Sequence, residues 1–175
     1  GLQEYRSART LLLDPATLRN LEIFASSRGP REGSLLGAVN RTVTSAGARL
    51  LERWLASPPL ELAEIKRRQE LVGEFLAQPT RLATLRESLG NVRDIPRILG
   101  RLQNRLRNPR ELGGIRDTLA QIPPLRVELS GFGPNAGLSA LITQLQELPA
   151  LRQLLASALA DELPTDLAEG GYIRA

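Results

Sequence analysis

Apolar residues recur every three or four positions through most of this chain, a spacing that predicts a succession of amphipathic helices. Val43, Ala46, Leu50, Leu51, Trp54 and Leu55 share one face of a helix running from Thr42, with Arg49, Glu52 and Arg53 opposite, and Trp54 is expected as a core anchor. Leu62, Ile65, Val72 and Leu76 trace the next helix, with Lys66, Arg67, Arg68 and Glu70 mostly outside. Leu82, Leu85 and Leu89 mark a short helix from near Thr80, and Gly90 suits its C-terminal cap. Ile95, Ile98, Leu99, Leu102 and Leu106 form one stripe, and Leu112, Ile115, Leu119 and Ile122 another. Leu138, Leu141, Ile142, Leu145 and Leu148 follow, and Leu151, Leu154, Leu155 and Leu159 continue the pattern.

Caps and prolines punctuate these runs. Asp14 before Pro15 is a helix start: the carboxylate accepts from first-turn N–H groups, and proline needs none there. Asp94 with Pro96 repeats the device, and Asn108 with Pro109 restarts the chain, Glu111 reaching back as a capping-box partner. Pro58 and Pro59, then Pro79, then Pro123 and Pro124 are read as helix ends, leaving a short Leu125 to Leu129 piece. Gly131, Gly133, Pro134 and Gly137 mark a loop, the most flexible-looking interior segment, and Pro149 kinks or ends the helix before it. Arg28 to Ser34, with Gly29, Pro30 and Gly33, reads as turn punctuation. Leu11 to Leu13 and Asp166 to Ala175 read as extended, the latter with a turn at Gly170 and Gly171. The fold class expected is therefore mainly α: an irregular multi-helix core domain over residues 11–175, with short extended segments at its ends and a connector at 1–10.

Composition narrows the chemistry. A chain of 175 residues, 42% hydrophobic, is long enough for one domain with a real core. Cys, Met and His are all absent, which removes thiolate nucleophiles, imidazole bases, disulfides and the usual zinc ligands. No G-x-x-x-x-G-K-[ST] occurs, so there is no P-loop. Ser26, Ser27 and Ser34 have no histidine to activate them, and Lys66 sits among charges and not in an apolar pocket, so neither nucleophilic route is supported. Glu61 with Glu64, and Asp161 with Glu162, read as helix-end and surface charges, not Mg²⁺ ligands, and Tyr172 as an aromatic anchor for a terminal strand. No apolar run approaches the ~20 residues of a membrane span and no signal peptide opens the chain, so a cytoplasmic location is expected. The missing initiator Met leads to the expectation of a fragment.

Charge adds one candidate site. The net +4 rests on 23 basic against 19 acidic residues, and every basic residue except Lys66 is arginine. Arg93, Arg97, Arg101 and Arg105 lie four apart, opposite an apolar stripe, as a rail that could neutralise DNA phosphates. A solvated face with acidic neighbours is the competing reading, since no aromatic interleaving accompanies the rail.

The series LDPATLRNLEIF at Leu13 to Phe24, REGSLLGAVNRTVTSAGARLLERWL at Arg31 to Leu55 and EGGYIR at Glu169 to Arg174 resembles the core (lever) domain of the bacterial MutS family of DNA mismatch repair proteins. Arg19 to Glu22 and Arg41 to Leu51 carry the specific part of the match; after Glu61 the likeness is mainly one of pattern. The resemblance implies a helical core that joins mismatch-reading and connector domains to an ATPase and transmits conformational change between nucleotide and DNA sites. It implies ATP and Mg, mismatched duplex DNA, a MutL-type partner and a homodimer for the full-length protein. For the fragment it implies no cofactor, no catalysis and a monomer. No catalytic or DNA-contacting family residue maps onto these positions. The alternative class is a free-standing helical module that binds a protein partner or a nucleic-acid backbone through exposed arginines.

Overall fold

A computed structural model describes residues 10–29, 32–104, 108–165 and 167–174, and contacts separate the chain into two units that divide between Gly73 and Glu74. Among the described residues there are helices and three isolated antiparallel bridges but no strand, so the fold is mainly α as the periodicity predicts.

The first unit opens with an antiparallel bridge between Thr10 and Pro59, where the Leu11 N–H donates to the Pro58 carbonyl at 2.8 Å. Helix α1 (Pro15–Asn20) starts as its cap predicts: Asp14 Oδ1 accepts from the N–H groups of Ala16 at 2.8 Å and Thr17 at 2.9 Å. A short helix that the periodicity does not reveal follows, α2 (Leu35–Val39), capped by the buried Ser34, whose Oγ accepts from the Gly37 N–H at 3.1 Å. It docks through backbone bonds from Leu35 to the Glu22 carbonyl and from Leu36 to the Ile23 carbonyl, so Ile23 and Leu36 become the buried apolar pair of this unit. Helix α3 (Ser45–Ala56) begins three residues later than the apolar spacing suggests, because Thr44 Oγ1 accepts from the Gly47 N–H at 3.0 Å and takes the cap position. Trp54 is not a core anchor: it is 41% exposed, and the Arg68 guanidinium from α4 (Leu62–Leu76) lies 3.9 Å from its ring centroid. A cation–π contact keeps one face of the indole covered while its edge meets water.

In the second unit the chain continues through α5 (Pro79–Gly90), α6 (Ile95–Gln103), α7 (Pro109–Ser130), α8 (Ala136–Gln144) and α9 (Pro149–Ala158). Helix α7 touches α5, α6, α8 and α9, and the buried side chains Leu85, Ile98, Leu119, Leu125 and Leu138 come from these helices. The expected break at Pro123 and Pro124 does not occur: α7 is one helix of 22 residues with both prolines inside it. Two prolines remove the N–H groups that would bond the carbonyls of Leu119 and Ala120, but helix partners around α7 supply the packing that holds the turn together. Leu125, expected to open a separate piece, is buried within the same helix.

The glycine-rich loop after α7 is likewise anchored. Phe132 is 2% exposed, its ring centroid 4.9 Å from that of Phe75 in edge-to-face geometry, and its carbonyl accepts from Gln78 Nε2 at 2.9 Å. Gly137 belongs to α8, whose cap Asn135 accepts from its N–H at 2.8 Å. Leu145 and Leu148 lie between α8 and α9, and Leu148 adopts a left-handed φ of 44° ahead of Pro149. The terminal segment begins as a short 3-10 turn (Leu167–Glu169), not extended chain; Gly170 and Gly171, at φ 68° and 71°, then reverse it. It returns to pair Ile173 with Leu159, the Ala160 N–H donating to the Tyr172 carbonyl at 3.0 Å. The expected connector up to Arg9 lies outside the described residues, as do Asp166 and Ala175.

Candidate functional site

The four arginines of the rail have different local surroundings. Arg93 precedes helix α6: its backbone N–H donates to the buried Thr118 hydroxyl of α7 at 2.9 Å, and its Cγ lies 3.5 Å from the point where a Cβ on Gly114 would stand. Its guanidinium is exposed and has no ionic partner among the described residues. Arg97 stands in the first turn of α6, where its N–H donates to the capping Asp94 Oδ1 at 3.4 Å; its side chain is likewise exposed and unpaired among the described residues. Arg101 is engaged: its Nη1 donates to Glu111 Oε1 in α7. Arg105 and Leu106 lie outside the described residues. Helix α6 therefore carries Arg97 and Arg101 alone among the described rail members, with Arg93 ahead of its cap.

Glu111 thus does not serve as a capping-box partner through its side chain. The carboxylate turns to Arg101, and Asn108 caps α7 by accepting from the Arg110 N–H at 2.9 Å.

Sequence reasoning missed what four arginines of this unit do. Arg110 Nε donates to the Leu163 carbonyl at 2.9 Å, and Arg116 Nη1 to that of Ala160 at 2.8 Å. Arg126 Nη1 donates to the carbonyls of Ile142, in the last turn of α8, and of Leu145, just past it, at 3.3 and 2.6 Å. Arg174 Nε donates to the Leu159 carbonyl at 2.8 Å, and its Nη2 holds Asp161. Each fork reaches a carbonyl in or after the last turn of a helix, where the regular intrahelical donors run out. The signal for this was the near-exclusive use of arginine over lysine, since a planar fork with several donors can bond a carbonyl and a carboxylate together.

Glu64 accepts from Arg67 Nε at 2.7 Å, from Arg67 Nη2 at 2.9 Å and from Arg68 Nε at 2.7 Å. These hydrogen bonds, Arg67's first, hold its carboxyl down at about 2, below the ordinary 4.5. Among the described residues no group of three His, Cys, Asp or Glu side chains could hold a metal ion, and no helix is long and apolar enough to cross a membrane. Ser26 donates to the Glu32 carbonyl and Ser34 caps α2, so both have structural work.

A family model described as MutS domain III matches residues 16–175. Among curated relatives, the DNA mismatch repair protein MutS of Symbiobacterium thermophilum is 42% identical over 175 residues, 99% of this chain. Those of Chlorobaculum tepidum and Thermosynechococcus vestitus are 40% and 37% identical over 100% and 99% of the chain. The chain spans about a fifth of the length of these relatives, 20% in each case.

Proposed function

This chain belongs to the MutS family of DNA mismatch repair proteins, as its domain III, and from that premise we propose that it is the mechanical core of a larger mismatch repair ATPase. In this reading it links the parts that read DNA to the parts that hydrolyse ATP, and catalyses nothing itself. The observation that supports it most is α7, a continuous 22-residue helix against which α5, α6, α8 and α9 all pack. Arg110, Arg116 and Arg126 reach from this helix to the segments around α8 and α9, and Arg101 reaches to it from α6. Helices tied to one strut move together, as coupling between distant sites requires.

A graft tests this. The chain replaces the matching segment of the Symbiobacterium thermophilum MutS, and ATP hydrolysis, mismatch binding and ATP-induced release from mismatched duplex are measured. All three are expected in the graft. A variant with Leu119→Gly and Ala120→Gly, which loosens α7, is expected to keep hydrolysis and binding but to lose their coupling. Release unaffected by the loosened strut would refute the mechanical role. The chain alone is expected to hydrolyse no ATP and to prefer no mismatch over matched duplex.

Arg93 and Arg97 support a second, finer reading, contact with a duplex backbone, because both guanidinia are exposed and unneutralised among the described residues. Reversing both to Glu is expected to weaken low-salt duplex binding and to flatten its salt dependence by about one to two phosphate contacts. An unchanged salt slope would remove these two residues from any DNA interface.

A further inference from the structure

Helices α7 and α9 leave an open cleft of about 560 Å³ between them, lined by Arg116, Asp117 and Ala120 on one side and by Pro149, Arg152 and Gln153 on the other. The charge in it is unbalanced. Arg116 is already employed, its Nε donating to Asp117 Oδ1 at 2.9 Å and its Nη1 to the Ala160 carbonyl. Asp117 thereby neutralises one guanidinium and leaves the other, that of the half-buried Arg152, without an ionic partner among the described residues. Besides Gln153 the remaining lining, Ala120, Pro149 and Ala156, is small and apolar, so a bound anion would exchange water for a guanidinium fork, an amide and hydrocarbon.

We infer that this cleft docks a carboxylate side chain, Asp or Glu, from an acidic polypeptide segment, with Arg152 as its counter-ion and Gln153 as a neighbouring amide donor. Charge complementarity decides for this occupant. A single surplus positive charge matches one carboxylate, whereas a nucleic-acid backbone presents a row of phosphates to a site whose other arginine is already neutralised by Asp117. The flat fork of arginine pairs with carboxylate in two parallel hydrogen bonds, a geometry lysine lacks.

The test uses the 175-residue chain and three probes: a fluorescent peptide of alternating Glu and Gly, the same peptide with Gln for Glu, and a single-stranded oligonucleotide of equal charge. Saturable binding of the Glu peptide alone is expected, with amide shifts at Gln153 and Ala156. Arg152→Gln is expected to weaken it about tenfold or more, Arg152→Lys less, and Arg53→Gln, an exposed arginine of the other unit, not at all. Unaltered melting of each variant shows that folding is intact; Gln153→Glu, which places a like charge in the cleft, gives the same loss by an independent substitution. Equal binding by the oligonucleotide, equal loss with Arg53→Gln, or shifts that avoid the cleft would each overturn the assignment.

Discussion

Arg101 donates from Nη1 to Glu111 Oε1 at 2.5 Å, tying the last turn of α6 to the first turn of α7. The two ends of this bond are not equivalent. Glu111 keeps 14% of its side chain exposed and Arg101 42%, so solvent screens the cation more than the carboxylate. Arg101→Ala leaves a mostly covered carboxylate without its donor and is expected to lower stability by about 1 kcal/mol. Glu111→Gln leaves only an accessible guanidinium and is expected to cost roughly 0.5 kcal/mol. Urea midpoints of the two variants check the order; a larger loss for Glu111→Gln would contradict it.

Local chemistry was legible in the sequence and long-range compensation was not. The Asp14, Asp94 and Asn108 caps lie where their residue types predict, because a cap is decided by two or three neighbouring residues. Helix α2 escaped notice because five residues show no period; it exists through Ser34 and through backbone bonds to Glu22 and Ile23, each thirteen positions away. Trp54 and the Pro123–Pro124 pair misled for the same reason. Arg68 partners the indole from another helix, and helices around α7 sustain a turn that local propensity would break. In the candidate site the spacing of Arg93, Arg97 and Arg101 was visible, but the diversion of Arg101 to Glu111 depends on where α7 passes.

Thr118 lies in α7 with its residue 4% exposed, and its hydroxyl accepts from the Arg93 N–H at 2.9 Å. Thr118→Val keeps the shape and removes the acceptor, leaving that N–H without its partner. A loss of about 1–2 kcal/mol is expected, with Thr118→Ser close to wild type. A larger loss for serine than for valine would assign the effect to the methyl group and not to the hydrogen bond.

Pro124 is exposed in the middle of α7 and has no N–H to offer the Ala120 carbonyl. Pro124→Ala restores that bond at a position where little packing is lost. An interior proline disfavours a helix by ~3 kcal/mol, and the extra freedom that alanine gives the unfolded chain offsets ~1 kcal/mol of the relief. A gain of roughly 2 kcal/mol in unfolding free energy is expected from denaturant titration. A destabilised variant would show that the Pro124 ring itself supports α7.

Glu64 supplies a pH-dependent contribution whose direction is fixed by its partners. Hydrogen bonds from Arg67 and then Arg68 hold its carboxyl at about 2 in the folded chain, against an ordinary 4.5. A folded-state value below the unfolded one means the folded state binds the proton less readily, so the stabilisation is complete above pH 4.5 and fades as pH falls toward 2. The carboxylate is solvent-facing, so the effect is small and best read as a difference. Thermal melts of wild type and Glu64→Gln are expected to differ by a constant amount from neutral pH down to about 4.5 and to converge between that pH and 2. A gap that widens on acidification would mean that Arg67 and Arg68 do not hold Glu64 in its charged form.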